Sequence, residues 1–145
     1  MKPPPDVRPT APVNLVIASD PAEARAVQEQ IEQLLLARQA HDHDVFSIRL
    51  ALEEALINAI KHGNQMDRSK NVRVSYQVFA DRFEVRIADE GGGFILDDVP
   101  DPTAVENLER PCGRGIMLMR HYMSSVSYSS CGNSVAMTKL RNGTK

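Results

Sequence analysis

Three short stretches concentrate the side chains able to do chemistry: Glu54-Ala55-Leu56-Ile57-Asn58, Asp89-Glu90-Gly91-Gly92-Gly93 and Arg110-Pro111-Cys112-Gly113-Arg114-Gly115. Together they hold a carboxylate able to act as a base, an amide able to ligate a metal, and a second carboxylate able to accept from an amino group. Their glycines let backbone N–H groups come close to an anion. These are the parts of a nucleotide-phosphate site. Glu54, Asn58 and His62 stand four apart, so a helix puts them in one polar stripe beside the apolar Ile48, Leu52, Ala55 and Ala59. Helix geometry turns Glu53 about 100° away, which leaves Glu54 as the better partner of Asn58. Asn is a poor helix former, and a mid-helix Asn suits an amide oxygen kept for Mg²⁺. Taken alone, the stripe also reads as an ordinary solvated helix side.

Asp89 closes a strand ahead of Gly91 and Gly93, where its carboxylate can accept a hydrogen bond from an exocyclic amine; the same residues also read as a simple Asp-Gly turn. Gly113 and Gly115 are expected immediately before a helix, whose free N–H groups and positive dipole end favour phosphate, with Arg110 and Arg114 nearby. The plain alternative is a loop with solvated arginines. Leu96 and Leu118 occupy the places of the third glycine in G-x-G-x-x-G, and no G-x-x-x-x-G-K-[ST] is present, which excludes the Rossmann and P-loop classes. His41 and His43 bracket a helix start without a second ligand cluster and read as solvated. Cys112 reads as a small packed residue, with a reactive thiol as the alternative.

The elements that must position these residues follow from periodicity. Val13 to Ala18 alternates as a strand and leads to a helix start at Asp20, Pro21 and Glu23, the pattern of a capping box with proline at the first helical position. Val27, Ile31, Leu34 and Leu35 give that helix one buried face, to an end near Arg38–Ala40. A second helix is expected from Asp42 or Asp44 to Gly63, whose missing Cβ suits a helix end. Val72–Phe79 and Arg82–Ala88 form a hairpin joined at Ala80-Asp81. The segment from Leu96 to Cys112 favours turns and reads as a lid, a third helix runs from Arg114 to Met123, and Val126–Ser130 and Ser134–Leu140 turn at Cys131-Gly132-Asn133. Such an order implies an α+β two-layer sandwich, a mostly antiparallel mixed sheet with helices on one face.

A chain of 145 residues is one domain with a sizeable core. Its net charge of −2 gives no electrostatic case for nucleic acid or an anionic membrane, and no stretch is apolar enough to span a bilayer. Prolines at 3, 4, 5, 9 and 12 make residues 1–12 a flexible lead rather than a signal peptide, ahead of a domain over 13–141 and a short tail at 142–145. Two cysteines support a reducing cytoplasm over a disulfide scaffold.

In combination, Glu54-x-x-x-Asn58-Ala59-x-x-His62-Gly63, Asp89-x-Gly91-x-Gly93 and Arg110-x-x-Gly113-x-Gly115 resemble the conserved boxes of the GHKL (Bergerat-fold) ATPase superfamily. Within it, the short lid and the run Asn107 to Gly115 resemble the anti-sigma factor serine/threonine kinases of bacterial partner switching. The resemblance spans about Val13 to Leu140 and implies ATP and Mg²⁺ as cofactors. It implies Glu54 as general base, Asn58 as the Mg²⁺ ligand, Asp89 as acceptor of the adenine amine and Arg110 on the γ-phosphate. His62, Gly63, Gly91, Gly93, Gly113, Arg114 and Gly115 would complete the nucleotide site, and Gly132-Asn133-Ser134 stands where the superfamily has a late glycine-threonine element. The implied partners are a STAS-domain anti-anti-sigma protein, a sigma factor and a second copy of the chain. The competing functions are an ATP-binding regulatory module without kinase activity and a detached histidine-kinase catalytic domain; the latter lacks a helical hairpin bearing a phosphoacceptor histidine.

Overall fold

The computed structural model describes residues 8–91, 111–129 and 133–141, with backbone alone for 111–116. Strand β1 (Val13–Ala18) precedes helix α1 (Pro21–Ala37) and helix α2 (Asp42–Ile57), which continues as a π segment (Asn58–Gly63). Strands β2 (Asn71–Val78) and β3 (Arg82–Ala88) follow, then helix α3 (Pro111–Tyr122), β4 (Ser125–Tyr128) and β5 (Ser134–Leu140). The sheet order is β1-β2-β3-β5-β4, and all four pairings are antiparallel. The expected mixed character is therefore absent among the described residues. β5 enters between β3 and β4, so the long connection carrying α3 crosses to the far edge before the chain returns.

Alternation in the strands decides which face is dry. Leu15, Val74, Ile87, Val135 and Tyr128 lie opposite one another in one row across the sheet, and Val13, Tyr76, Val85, Met137 and Val126 form the next. These rows meet Ala24, Val27, Ile31 and Leu35 of α1, Ile48, Leu52, Ala55 and Leu56 of α2, and Met119 of α3 in one core. Complete burial of a Leu or Ile stabilises by about 1.5–3 kcal/mol, so this single contact layer holds the helices to the sheet. The other face carries Asn14, Arg73, Ser75, Glu84, Arg86 and Thr138, the polar half of the same alternation.

Helix ends follow local chemistry, with differences from expectation. Asp20 caps α1 by accepting from the Ala22 N–H at 2.9 Å, and Pro21 is its first residue. Glu23 does not close a capping box on Asp20; its Oε1 takes the Ala18 N–H at 3.4 Å, because the Asp20 N–H already donates to Ala18 O at 2.8 Å. His41, expected to be merely solvated, caps α2 through Nδ1, which accepts from the His43 N–H at 3.2 Å.

Three further expectations change. The second helix does not stay α to Gly63: from Asn58 it widens to π spacing, and the Asn64 N–H reaches back five residues to Ala59 O at 2.8 Å. The third helix begins at Pro111 rather than Arg114, which places Gly113 and Gly115 inside its first turns; proline is suited to a first helical position because it lacks the N–H a helix start leaves unused. The proline-rich lead is attached from Arg8 onward. Thr10 donates its N–H to Val78 O at 2.9 Å, takes the Val78 N–H on Oγ1 at 3.0 Å and receives Gln77 on its carbonyl, while the Arg38 guanidinium donates to Arg8 O. Residues 1–7 and 142–145 and the expected lid lie outside the described residues, apart from Pro111 and Cys112 at the helix start.

Candidate nucleotide site

The site forms where α2 and its π continuation run out beside the exit of β3. Glu54 lies on the last turn of α2 and is half-exposed. Asn58 marks the α-to-π junction, with its backbone N–H shared between the carbonyls of Glu54 and Ala55. A π turn is a costly irregularity concentrated at functional positions, and here it sets the relation between Asn58 and Gly63. The Asn58 amide Nδ2 is buried and has no hydrogen-bond partner among the described residues. A buried amide left unpaired costs about 1–3 kcal/mol, so this polar group is available to a ligand as far as the described residues go.

Gly63 ends the π segment, and its use is space rather than backbone freedom. A Cβ placed there would lie 2.2 Å from Asp89 Oδ2 and 2.6 Å from Oδ1. Asp89 leaves β3 and lays its carboxylate across that vacant position. Its Oδ1 accepts the Gly91 N–H at 2.8 Å, and its own N–H donates to Asn133 O at 2.9 Å. Gly91 completes a backbone contact: a Cβ there would meet Gly63 O at 1.8 Å. Two glycines therefore permit two main chains and one carboxylate to share a single small volume.

Burial pushes the Asp89 carboxyl above its ordinary value, against the Gly91 N–H bond and the charge of Lys70, which pull the other way. A half-desolvated carboxylate with one oxygen bonded to its own loop is a strong acceptor for a polar N–H group. Lys70 is brought near by the turn preceding β2, in which the Lys70 N–H donates to Asp67 O at 3.0 Å.

The residues singled out from sequence divide accordingly. Gly63, Asp89 and Gly91 are in mutual contact, and Glu54 and Asn58 stand on the helix that delivers Gly63. His62 belongs to the same π segment, but its side chain is exposed. Gly113, Arg114 and Gly115 lie in the first turns of α3, which packs on α2 and the π segment. Gly93, Arg110 and Gly132 lie outside the described residues; Cys112 is described by its backbone alone. Asn133 contributes its carbonyl to the Asp89 backbone, and Ser134 opens β5 opposite Ala88.

Asn64 and Ser19 were missed from the sequence. Both are buried, Asn64 bonded to the Asp89 loop and Ser19 bonded to Asn64: Asn64 Oδ1 accepts the Glu90 N–H at 2.8 Å and its Nδ2 donates to Ser19 Oγ at 2.9 Å. The only local signals were an Asn beside a helix end and a Ser beside a cap, and both types are common at such places without further use.

A one-sided antiparallel sheet backed by three helices, with its polar cluster at the exit of β3 and the end of the second helix, has the architecture of the two-layer ATPase sandwiches. Residues 17–139 match the family of the histidine kinase-like ATPase domain. The chain belongs to that family, in the branch of the RsbW serine-protein kinases. It is 34% identical over 117 residues to serine-protein kinase RsbW of Bacillus subtilis, covering 74% of this chain and 72% of that one. With the same kinase of Bacillus velezensis it shares 36% over 109 residues, 69% of this chain and 67% of the relative. With that of Listeria innocua the figure is 31% over 102 residues, 66% of this chain and 65% of the relative. In three dimensions it superposes with a TM-score of 0.62 on a crystal structure of the RsbU and RsbW domains of a Mycobacterium tuberculosis protein, at 18% identity. That match takes in 91% of this chain but 32% of the larger one, and it bears on the fold alone. ATP is the nucleotide of the family, and no described helix is long and apolar enough to cross a membrane.

Proposed function

We propose that this chain is an ATP-dependent protein serine/threonine kinase that phosphorylates a STAS-type anti-anti-sigma protein and, as an anti-sigma factor, binds a sigma factor. In this reading it works in the cytoplasm as a homodimer. The observation that carries the catalytic part is the placement of Glu54 one helical turn before Asn58, whose buried amide Nδ2 has no partner among the described residues.

Phosphoryl transfer asks mainly for positioning and charge neutralisation. Asn58 fits a role beside a nucleotide-bound Mg²⁺: turning its amide over brings the carbonyl oxygen, a hard ligand, to the buried position now held by Nδ2. No described cluster of three His, Cys, Asp or Glu side chains is close enough to hold a metal, so the other ligands would come from phosphate oxygens and water. When bound, the ion supplies charge neutralisation at the phosphates. Asp89 accepts the adenine amine, with Gly63 and Gly91 leaving room for its carboxylate and for the base. Glu54 accepts the proton of the attacking Ser or Thr hydroxyl as the new P–O bond forms and the bond to the departing ADP breaks. Gly113, in the first turn of α3, would offer its N–H to the phosphates with Gly115 in the turn behind it, and Arg110 would neutralise charge on the γ-phosphate.

Replacement of Glu54 by Ala tests this reading. Transfer from labelled ATP to a STAS partner should fall roughly 10²- to 10⁴-fold, the usual contribution of a general base, while ATP affinity stays near wild type. A variant that phosphorylates the partner at an undiminished rate would remove Glu54 from the mechanism. Absence of any phosphoserine or phosphothreonine with wild-type protein would instead favour a module that uses ATP only as a conformational ligand.

A further inference from the structure

Asn64 is completely buried, and a buried amide is tolerated only when its polar atoms are satisfied. They are satisfied by three separate parts of the chain. Its Nδ2 donates to Ser19 Oγ at 2.9 Å and to Asn71 O at 3.0 Å; its Oδ1 accepts the Glu90 N–H at 2.8 Å. Ser19, 1% exposed, donates its own O–H to Lys70 O at 2.8 Å. The Asn64 backbone is equally engaged, donating to Ala59 O and accepting from the Asp67 N–H. One side chain thus ties the end of β1, the entry to β2 and the exit of β3 to the end of the π segment.

What it holds in place is the Asp89 loop. Three consecutive N–H groups at the exit of β3 have three different acceptors: Asn133 O for Asp89, Asn64 Oδ1 for Glu90 and Asp89 Oδ1 for Gly91. The last bond lies within the loop itself and moves with it. The first fixes the loop to its neighbour next to β5. Of these three, the Glu90 bond is the one that fixes the peptide following Asp89 to the helical layer, and with it the direction in which the Asp89 side chain leaves the backbone.

We propose that Asn64, itself held by Ser19, is a positioning residue that sets the base selectivity of the nucleotide site by fixing the Asp89 carboxylate, without touching the nucleotide. The proposal rests on the reading of Asp89 as acceptor of the adenine amine. Adenine presents an amine donor where guanine presents a carbonyl oxygen, so a fixed carboxylate attracts the first and repels the second. A carboxylate free to swing loses both effects together. Loss of Asn64 therefore compresses the ratio of ATP to GTP affinity, whereas a generally loosened site weakens both nucleotides alike.

The test is calorimetric titration of ATP and of GTP into the full chain as wild type, Asn64→Ala, Ser19→Ala and Asp89→Asn. Wild type should prefer ATP. Asn64→Ala should reduce the ATP-to-GTP ratio by about tenfold, the scale of one lost positioning bond, and Ser19→Ala should reduce it less but in the same sense. Parallel losses for both nucleotides, with the ratio kept, would overturn the proposal and leave Asn64 a structural residue. Should Asn64→Ala fail to fold, the ratio in Ser19→Ala decides alone. A wild-type preference that disappears in Asp89→Asn yet survives in the Asn64 and Ser19 variants would defeat this proposal and spare the reading of Asp89. A wild type indifferent between ATP and GTP would defeat both.

Discussion

Substitution of Gly63 by Ala separates binding from folding at the centre of the site. Glycine in a helical segment costs about 0.5–1 kcal/mol relative to alanine, so the change by itself favours the fold. The added Cβ, however, would lie 2.2 Å from Asp89 Oδ2, 2.3 Å from its Cγ and 2.6 Å from Oδ1. The carboxylate must rotate away, and in doing so it gives up the 2.8 Å bond from the Gly91 N–H. A hydrogen bond to a charged group contributes about 1.5–3 kcal/mol, discounted here because Asp89 is only half-buried and water replaces part of the loss. The two effects nearly offset, and stability measured by urea unfolding should change by no more than about 1 kcal/mol. ATP affinity has no such offset. The displaced carboxylate no longer meets the adenine amine, and titration calorimetry should show ATP binding weakened by roughly 10- to 100-fold, which corresponds to about 1.4–2.7 kcal/mol. A Gly63→Ala protein that binds ATP within about twofold of wild type would refute the argument that this glycine exists to seat Asp89.

Gly91→Ala should be harsher, because its Cβ meets the main chain at Gly63 O, 1.8 Å away, and no side-chain rotation relieves that contact. A loss of about 1–3 kcal/mol in unfolding free energy is expected, together with loss of ATP binding. Protonated Asp89 presents a donor to the adenine amine, so its contribution to ATP affinity is present above its pKa and lost as pH falls through it. Since burial raises that pKa, the loss should begin above the ordinary carboxylate value of 3.8. The affinity difference between wild type and Asp89→Asn, which cancels titration of the phosphates, reads it directly; about 1–3 kcal/mol near neutrality should shrink toward zero in acid. Leu52→Ala, at a side chain 1% exposed between α2 and the sheet, should cost about 2–5 kcal/mol in chemical denaturation with no specific effect on the ATP-to-GTP ratio.

Much of the architecture was written in local periodicity. Alternation in Val13–Ala18 and in the Val72 and Arg82 strands, and the 3.6-residue spacing of Val27, Ile31 and Leu35, each name an element and its buried face, because both periods are properties of a single segment. The spacing of Glu54 to Asn58, and of Asp89 to Gly91, was equally visible, and so was the family they resemble. What the sequence could not determine depends on partners distant along the chain. The widening of α2 to π spacing, Gly63 serving as a seat for Asp89 as well as the last residue of the helical run, and Thr10 fastening the proline-rich lead to Val78 are all settled by contacts that no local window contains. Asn64 is the clearest case. Its three side-chain bonds reach residues 45, 7 and 26 positions away, so its importance exists only once β1, β2 and β3 end beside one another, where burial turns each of those hydrogen bonds into a requirement.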